Sequence, residues 1–123
     1  MLRLLRHISL ALLILAPSGM AMAADVVSGY VAGVDDLPLM SGLSEVPNSS
    51  TVFDKPDGRI VEAYAAGVGI KPGAIADFYR AALPQLGWKQ GSDLIFVREN
   101  EQLQLTISEE GARVTVRFDI APR

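Results

Sequence analysis

The chain has 123 residues, 50% of them hydrophobic, with 11 basic and 14 acidic side chains and a formal net charge of −3. That length suits one domain, and an acidic chain without a Lys/Arg cluster lacks the electrostatic footprint of nucleic-acid or anionic-lipid binding. Cysteine is absent and His7 is the one histidine, so packing must hold the fold without disulfides.

In chain order, Arg3 and Arg6 precede an apolar run from Ile8 to Ala16, then Pro17-Ser18-Gly19 and the small-residue pattern Ala21-Met22-Ala23. This is the layout of a secretory signal peptide. The run is far shorter than the roughly 20 residues that span a bilayer. The expectation is cleavage after Ala23 and a periplasmic or secreted protein with no transmembrane segment. Cleavage there removes two basic residues and His7, leaving 9 basic against 14 acidic residues, a net charge of −5. With no cysteine following the signal, lipid attachment is excluded as well.

From residue 24 to 50 the chain is rich in Gly, Pro and Ser and shows no helical period, so it reads as an extended arm, with Tyr30 to Val34 as a short strand. Val31, Val34, Leu37, Leu39, Met40, Leu43 and Val46 are too many apolar residues for a free linker. The arm therefore lies against the domain or against a partner.

The domain proper is expected over 51–123. In "TVFDKPDGRIVEAYAAG" the turn formers Pro56-Asp57-Gly58 separate two β-prone runs, predicting strands at 51–54 and 59–66 joined as a hairpin. Pro72 suits the first turn of a helix. Ile75, Phe78, Tyr79, Ala82 and Leu86 form one helical stripe, Pro84 should end or kink the helix near Leu83, and Gly87 can turn the chain out of it. After Trp88 the period changes to 2. "LIFVR" at 94–98 is a strand, Leu103, Leu105 and Ile107 alternate with polar residues, and so do Val114, Val116, Phe118 and Ile120, with "EEGA" as the turn between the last two strands. The order β-β-α-β-β-β with short connections predicts an α+β fold: an antiparallel sheet of four to five strands with one helix packed on one face.

The helix end Phe78-Tyr79, Leu83, Gly87-Trp88, with its spacing F-Y-x3-L-x3-G-W and a following β-meander, resembles a recurrent pattern in small exported bacterial α+β domains of unassigned function. The resemblance covers about half of the exported chain. It implies a fold and no activity.

Without histidine or cysteine beyond residue 23, Ser-His-Asp and Cys-His nucleophiles, thiol redox chemistry and the usual zinc sites are excluded. No phosphate-cradling glycine loop is present. No cofactor, metal site or catalytic set is expected. The one enzymatic alternative is carboxylate or metal-dependent hydrolysis by Asp54, Asp57 and Glu62. Asp35-Asp36 and the turn aspartates match no calcium-loop spacing. Asn48-Ser49-Ser50 reads as an exposed loop.

Two readings remain for the aromatic residues: Tyr79 and Trp88 are either core or, through their polar tips, the floor of a groove. In "LIFVR" both alternating pairs are apolar, so either the arm covers the pair facing away from the helix or that pair is exposed for a partner. The candidate interaction surface is Leu37, Leu39 and Met40 from the arm with Tyr79, Trp88, Leu94 and Phe96. The function expected is that of a non-catalytic envelope protein that binds another envelope protein or a small apolar ligand, or that self-associates. The remaining alternative is an inhibitor or accessory subunit whose arm inserts into a partner.

Overall fold

The computed structural model describes residues 27–123, so the expected signal peptide lies outside the described residues. Ten elements follow one another: β1 (Val27–Tyr30), β2 (Pro38–Met40), β3 (Ser44–Glu45), β4 (Thr51–Lys55), β5 (Gly58–Val68), α1 (Pro72–Gln85), β6 (Lys89–Gln90), β7 (Ile95–Arg98), β8 (Glu101–Glu110) and β9 (Arg113–Pro122). The fold is α+β, with one helix, a seven-stranded antiparallel sheet and the separate β1–β2 hairpin. The spatial order is β3-β5-β9-β8-β7-β6, with β4 pairing farther along the same edge of β5 as β3. The long central strands arise where the sequence alternates most regularly; short connections make β4–β5, β6–β7, β7–β8 and β8–β9 antiparallel, and β5 and β9, joined through the helix and three strands, pair antiparallel as well. Two strands more than expected are counted because β3 and β6 pair over two residues each, too short a stretch to show a period.

Pro72 opens α1 as expected, and the stripe that buries is Ile75, Ala76, Tyr79 and Leu83. The helix runs through Pro84 and ends at Gln85, two residues past Leu83, near which an end or a kink is expected, because a proline in the last turn forfeits only one backbone bond there. Gly87, at φ 88, closes the helix in the left-handed conformation. The amide of Trp88 donates to the Leu83 carbonyl at 3.1 Å and that of Gly87 to the Pro84 carbonyl at 3.2 Å, the paired bonds of a Schellman cap. This cap takes Leu86 off the helical stripe. Leu86 is 37% exposed and the core position falls to Trp88 instead.

Alternation assigns Val61, Ala63 and Ala65, Val116, Phe118 and Ile120, Leu103 and Leu105, and Phe96 to one face of the sheet, where they are buried. The helix lies on this face, with the Tyr79 and Phe118 rings edge to face at 5.4 Å. The arm lies on it too. Val31, Val34, Leu37, Leu39 and Leu43 belong to the same core cluster as Ile75, Tyr79, Leu83 and Trp88. The expected strand at 30–34 is displaced: β1 ends at Tyr30, and the chain then coils through turns in which the Val34 amide donates to Val31 O and the Leu37 amide to Val34 O. Two valines three residues apart both point inward in that coil, whereas a strand would send them to opposite faces.

Gly67 on β5 marks where the arm comes closest. A side chain there would meet the Gly42 carbonyl oxygen at 2.7 Å, so glycine lets the backbone of the arm lie on the strand. Removing residues 24–50 is therefore expected to abolish cooperative thermal unfolding of the rest, as followed by circular dichroism. A remnant that melts with an unchanged midpoint would show the arm to be dispensable.

Candidate functional site: the open face of the sheet

The face opposite the helix has no covering layer among the described residues. Register places Thr51, Glu62, Asp119, Gln104 and Ile95 in one row across five strands, with Tyr64, Arg117 and Thr106 in the next row. Arg117 is the hub. Its Nη2 lies 3.4 Å from Glu62 and its Nε 2.9 Å from Asp119, and its guanidinium stands 5.8 Å from the Tyr64 ring centroid. The Tyr64 hydroxyl donates to Glu62 at 2.6 Å, and that bond raises the phenol pKa above its ordinary value. One cation thus serves two carboxylates and a ring, and a polar stripe runs up the middle of the face.

Apolar groups flank the stripe. On the β4 side, Phe53 stands opposite Ile60 in register, and Phe53 is 61% exposed. On the far side, Ile95 and Val97 are half-buried and paired with Gln104 and Gln102. The arm does not cover this pair. It lies with the helix on the other face, where Phe96 is fully buried and Leu94 packs against the core. One helix leaves much of that face bare, so burying the arm there removes more apolar surface from water than covering two side chains on the open face.

The seven candidate surface residues converge on this core. Leu37, Leu39, Tyr79, Trp88 and Phe96 are buried, and Met40 and Leu94 are partly buried against them. The Tyr79 hydroxyl donates to the Pro38 carbonyl at 2.9 Å and accepts from the Met40 amide at 3.3 Å, so its polar tip is used within the chain. The Trp88 ring is capped by the Arg98 guanidinium, 4.3 Å from its centroid. Arg98 also donates to Asp36 at 2.6 Å and to the Leu86 carbonyl at 3.2 Å. The Arg98 guanidinium in turn holds the Asp36 carboxyl below its usual value. This clasp ties the arm, the helix end and β7 together.

The carboxylates singled out for hydrolysis are not brought together. Asp54 and Glu62 lie on opposite faces of the β4–β5 ladder, Asp54 opposite Arg59 and Glu62 opposite Thr51, and Asp57 sits in the intervening turn. Among the described residues no group of three His, Cys, Asp or Glu side chains is placed to hold a metal ion. Among the described residues are two open clefts. One, of about 390 Å³, lies between β1 and α1 and is lined by Val27, Pro38, Phe78, Ala81, Ala82 and Gln85. The other, of about 380 Å³, runs beside β3 past Glu45, Val68 and Arg113.

The polar residues that alternate with the core positions of β8 and β9, Gln104, Thr106, Arg117 and Asp119, are legible in the sequence as a solvated face, whereas Phe53, Ile60 and Tyr64 do not stand out there. The signal that could mark Phe53 is parity: it shares one with Thr51 and Lys55, so the outward positions of β4 combine a large aromatic with polar neighbours. The chain matches no protein-family model, no curated protein and no solved structure.

Burial raises the Tyr79 phenol well above its ordinary value, which generates a test. An unfolded tyrosine ionises near pH 10, and above that pH the unfolded chain releases a proton that the folded chain keeps. Stability contributed by Tyr79 is thus complete below about pH 10 and lost as pH rises further. Tyr79→Phe is expected to lower neutral-pH stability by about 1–3 kcal/mol, since Pro38 O and Met40 N lose a partner. It should also flatten the alkaline decline in urea-denaturation midpoints. A variant declining as steeply as the parent would assign that decline elsewhere.

Proposed function

We propose that this protein is a non-catalytic binding module of the bacterial cell envelope, exported to the periplasm or beyond, that holds a polypeptide partner on the open face of its sheet. The observation that carries the reading is the contrast between the two faces. One is sealed by helix and arm; the other is bare among the described residues, with a polar stripe around Arg117 between apolar groups at Phe53–Ile60 and Ile95–Val97. Apolar anchors around a hydrogen-bonding centre make a recognition surface. Export rests on the signal-like segment 1–23, and the non-catalytic reading rests on the side-chain inventory and on the dispersal of Asp54, Asp57 and Glu62. An inserting arm is disfavoured, because the arm is spent on the chain's own core.

A second reading, a small apolar ligand, is supported by the cleft at Phe78 and Ala82, whose volume is that of a small-molecule site. The two are separated by photo-crosslinking in intact cells. A photoreactive residue at Val97 or Thr106 is expected to give a discrete adduct with another polypeptide, whereas one at Asp77 on the outer side of the helix gives none. Arg117→Glu should lower the adduct yield about tenfold, a loss of ~1.4 kcal/mol. Equal labelling from all three positions, or from none, would remove the proposal, and a bound lipophile displaced by Ala82→Trp would favour the second reading.

A further inference from the structure

We infer that β4 is a docking edge for a second copy of this chain, and that the two sheets join antiparallel through a register centred on Phe53. Among the described residues β4 pairs only with β5, so its outer row of backbone amides and carbonyls has no strand beside it. All five of its residues are exposed, Phe53 by 61% and Val52 by 47%. Edges are ordinarily blunted by bulges, proline or several charges. Here the ladder to β5 runs without a register shift from Thr51 to Lys55, the proline stands outside the strand at Pro56, and the middle of the edge is Val52-Phe53.

The second copy is the occupant that the sequence of the strand itself fits. A two-fold axis through Phe53, perpendicular to the sheet, sets Phe53 against Phe53, Val52 against Asp54 and Thr51 against Lys55. This register alone uses all five residues of both strands. Sliding by two residues in one direction sets Asp54 against Asp54, and in the other reduces the overlap to Thr51–Phe53. In the centred register the open faces lie on the same side of the joined sheet. Ile60 stands beside Phe53 in each copy, so an apolar row Ile60–Phe53–Phe53–Ile60 crosses the seam. Charges complement it: Lys55 lies beside the short Thr51 of the other copy, and Thr51 is paired with Glu62, which brings each Lys55 within reach of the opposite Glu62. The turn at Pro56-Asp57 ends β4, so β3 of the second copy passes beyond the hairpin without meeting it.

A five-residue seam is small beside the 1,200–2,000 Å² of a standard interface, so association is expected to be weak and is best trapped. Because the chain has no cysteine, single cysteines report the register. In protein expressed from the full 123-residue sequence and purified alone, Phe53→Cys is expected to form a disulfide dimer under mild oxidation, since opposed strand residues fall within disulfide reach. Val52→Cys and Asp54→Cys should each stay monomeric alone and cross-link when mixed. Circular dichroism of each reduced variant checks that the fold is kept. No dimer at position 53, or equal dimer at all three positions, overturns the inference. The binding proposal for the open face shares Phe53 and Ile60 with this seam but is read out at Val97, Thr106 and Arg117 and on partners in cells, so adducts at Val97 without a Phe53→Cys dimer would sink this inference and leave that proposal standing.

Discussion

The structure depends on the arm occupying the half of the sheet that one helix cannot reach. Six strand positions side by side, at about 4.8 Å each, make a sheet some 24 Å across, while an α-helix with its side chains is only about 10–12 Å wide. The uncovered remainder is filled by Val31, Val34, Leu37, Leu39 and Leu43. Tyr79 holds the two layers in register by giving its hydroxyl to the arm at Pro38 and Met40 and its ring to Phe118 below. For a chain without disulfides, this burial is the main source of stability.

The helix end shows how one local motif serves that arrangement. The Schellman cap at Gly87 throws Trp88 back onto the core, and Arg98 then covers the ring while bonding the Leu86 carbonyl and Asp36. A cation at the C-terminal end of a helix also faces its negative pole favourably. The ion pair itself is partly exposed and contributes little on its own. Its role is positional, because it ties the distant arm to the helix end and β7.

Among the described residues helix and arm both cover one face and leave the other bare, and the proposed recognition role rests on this asymmetry. A sheet face with polar groups throughout needs no partner. Here the centre is polar but Phe53, Ile60, Ile95 and Val97 flank it. The exposed apolar area then sits around Arg117, which is ion-paired with both Glu62 and Asp119 and leaves one net negative charge at the centre of the face.

What the sequence by itself determined were the elements whose signal is local. The period-2 runs of β8 and β9, the Pro56-Asp57-Gly58 hairpin, the Pro72 start and the Gly87 turn are set by side-chain alternation and by backbone preferences within a few residues. Its residue inventory likewise left no histidine or thiol chemistry beyond residue 23. Tertiary structure alone decided where the arm lies, because an irregular apolar segment carries no period and its position depends on how much of the sheet the helix leaves bare. The same competition decided that Leu37, Leu39, Tyr79, Trp88 and Phe96 are core, and that Ile95 and Val97 face outward. Parity separates the two pairs of "LIFVR" in sequence, but only the packed layers choose which pair is covered.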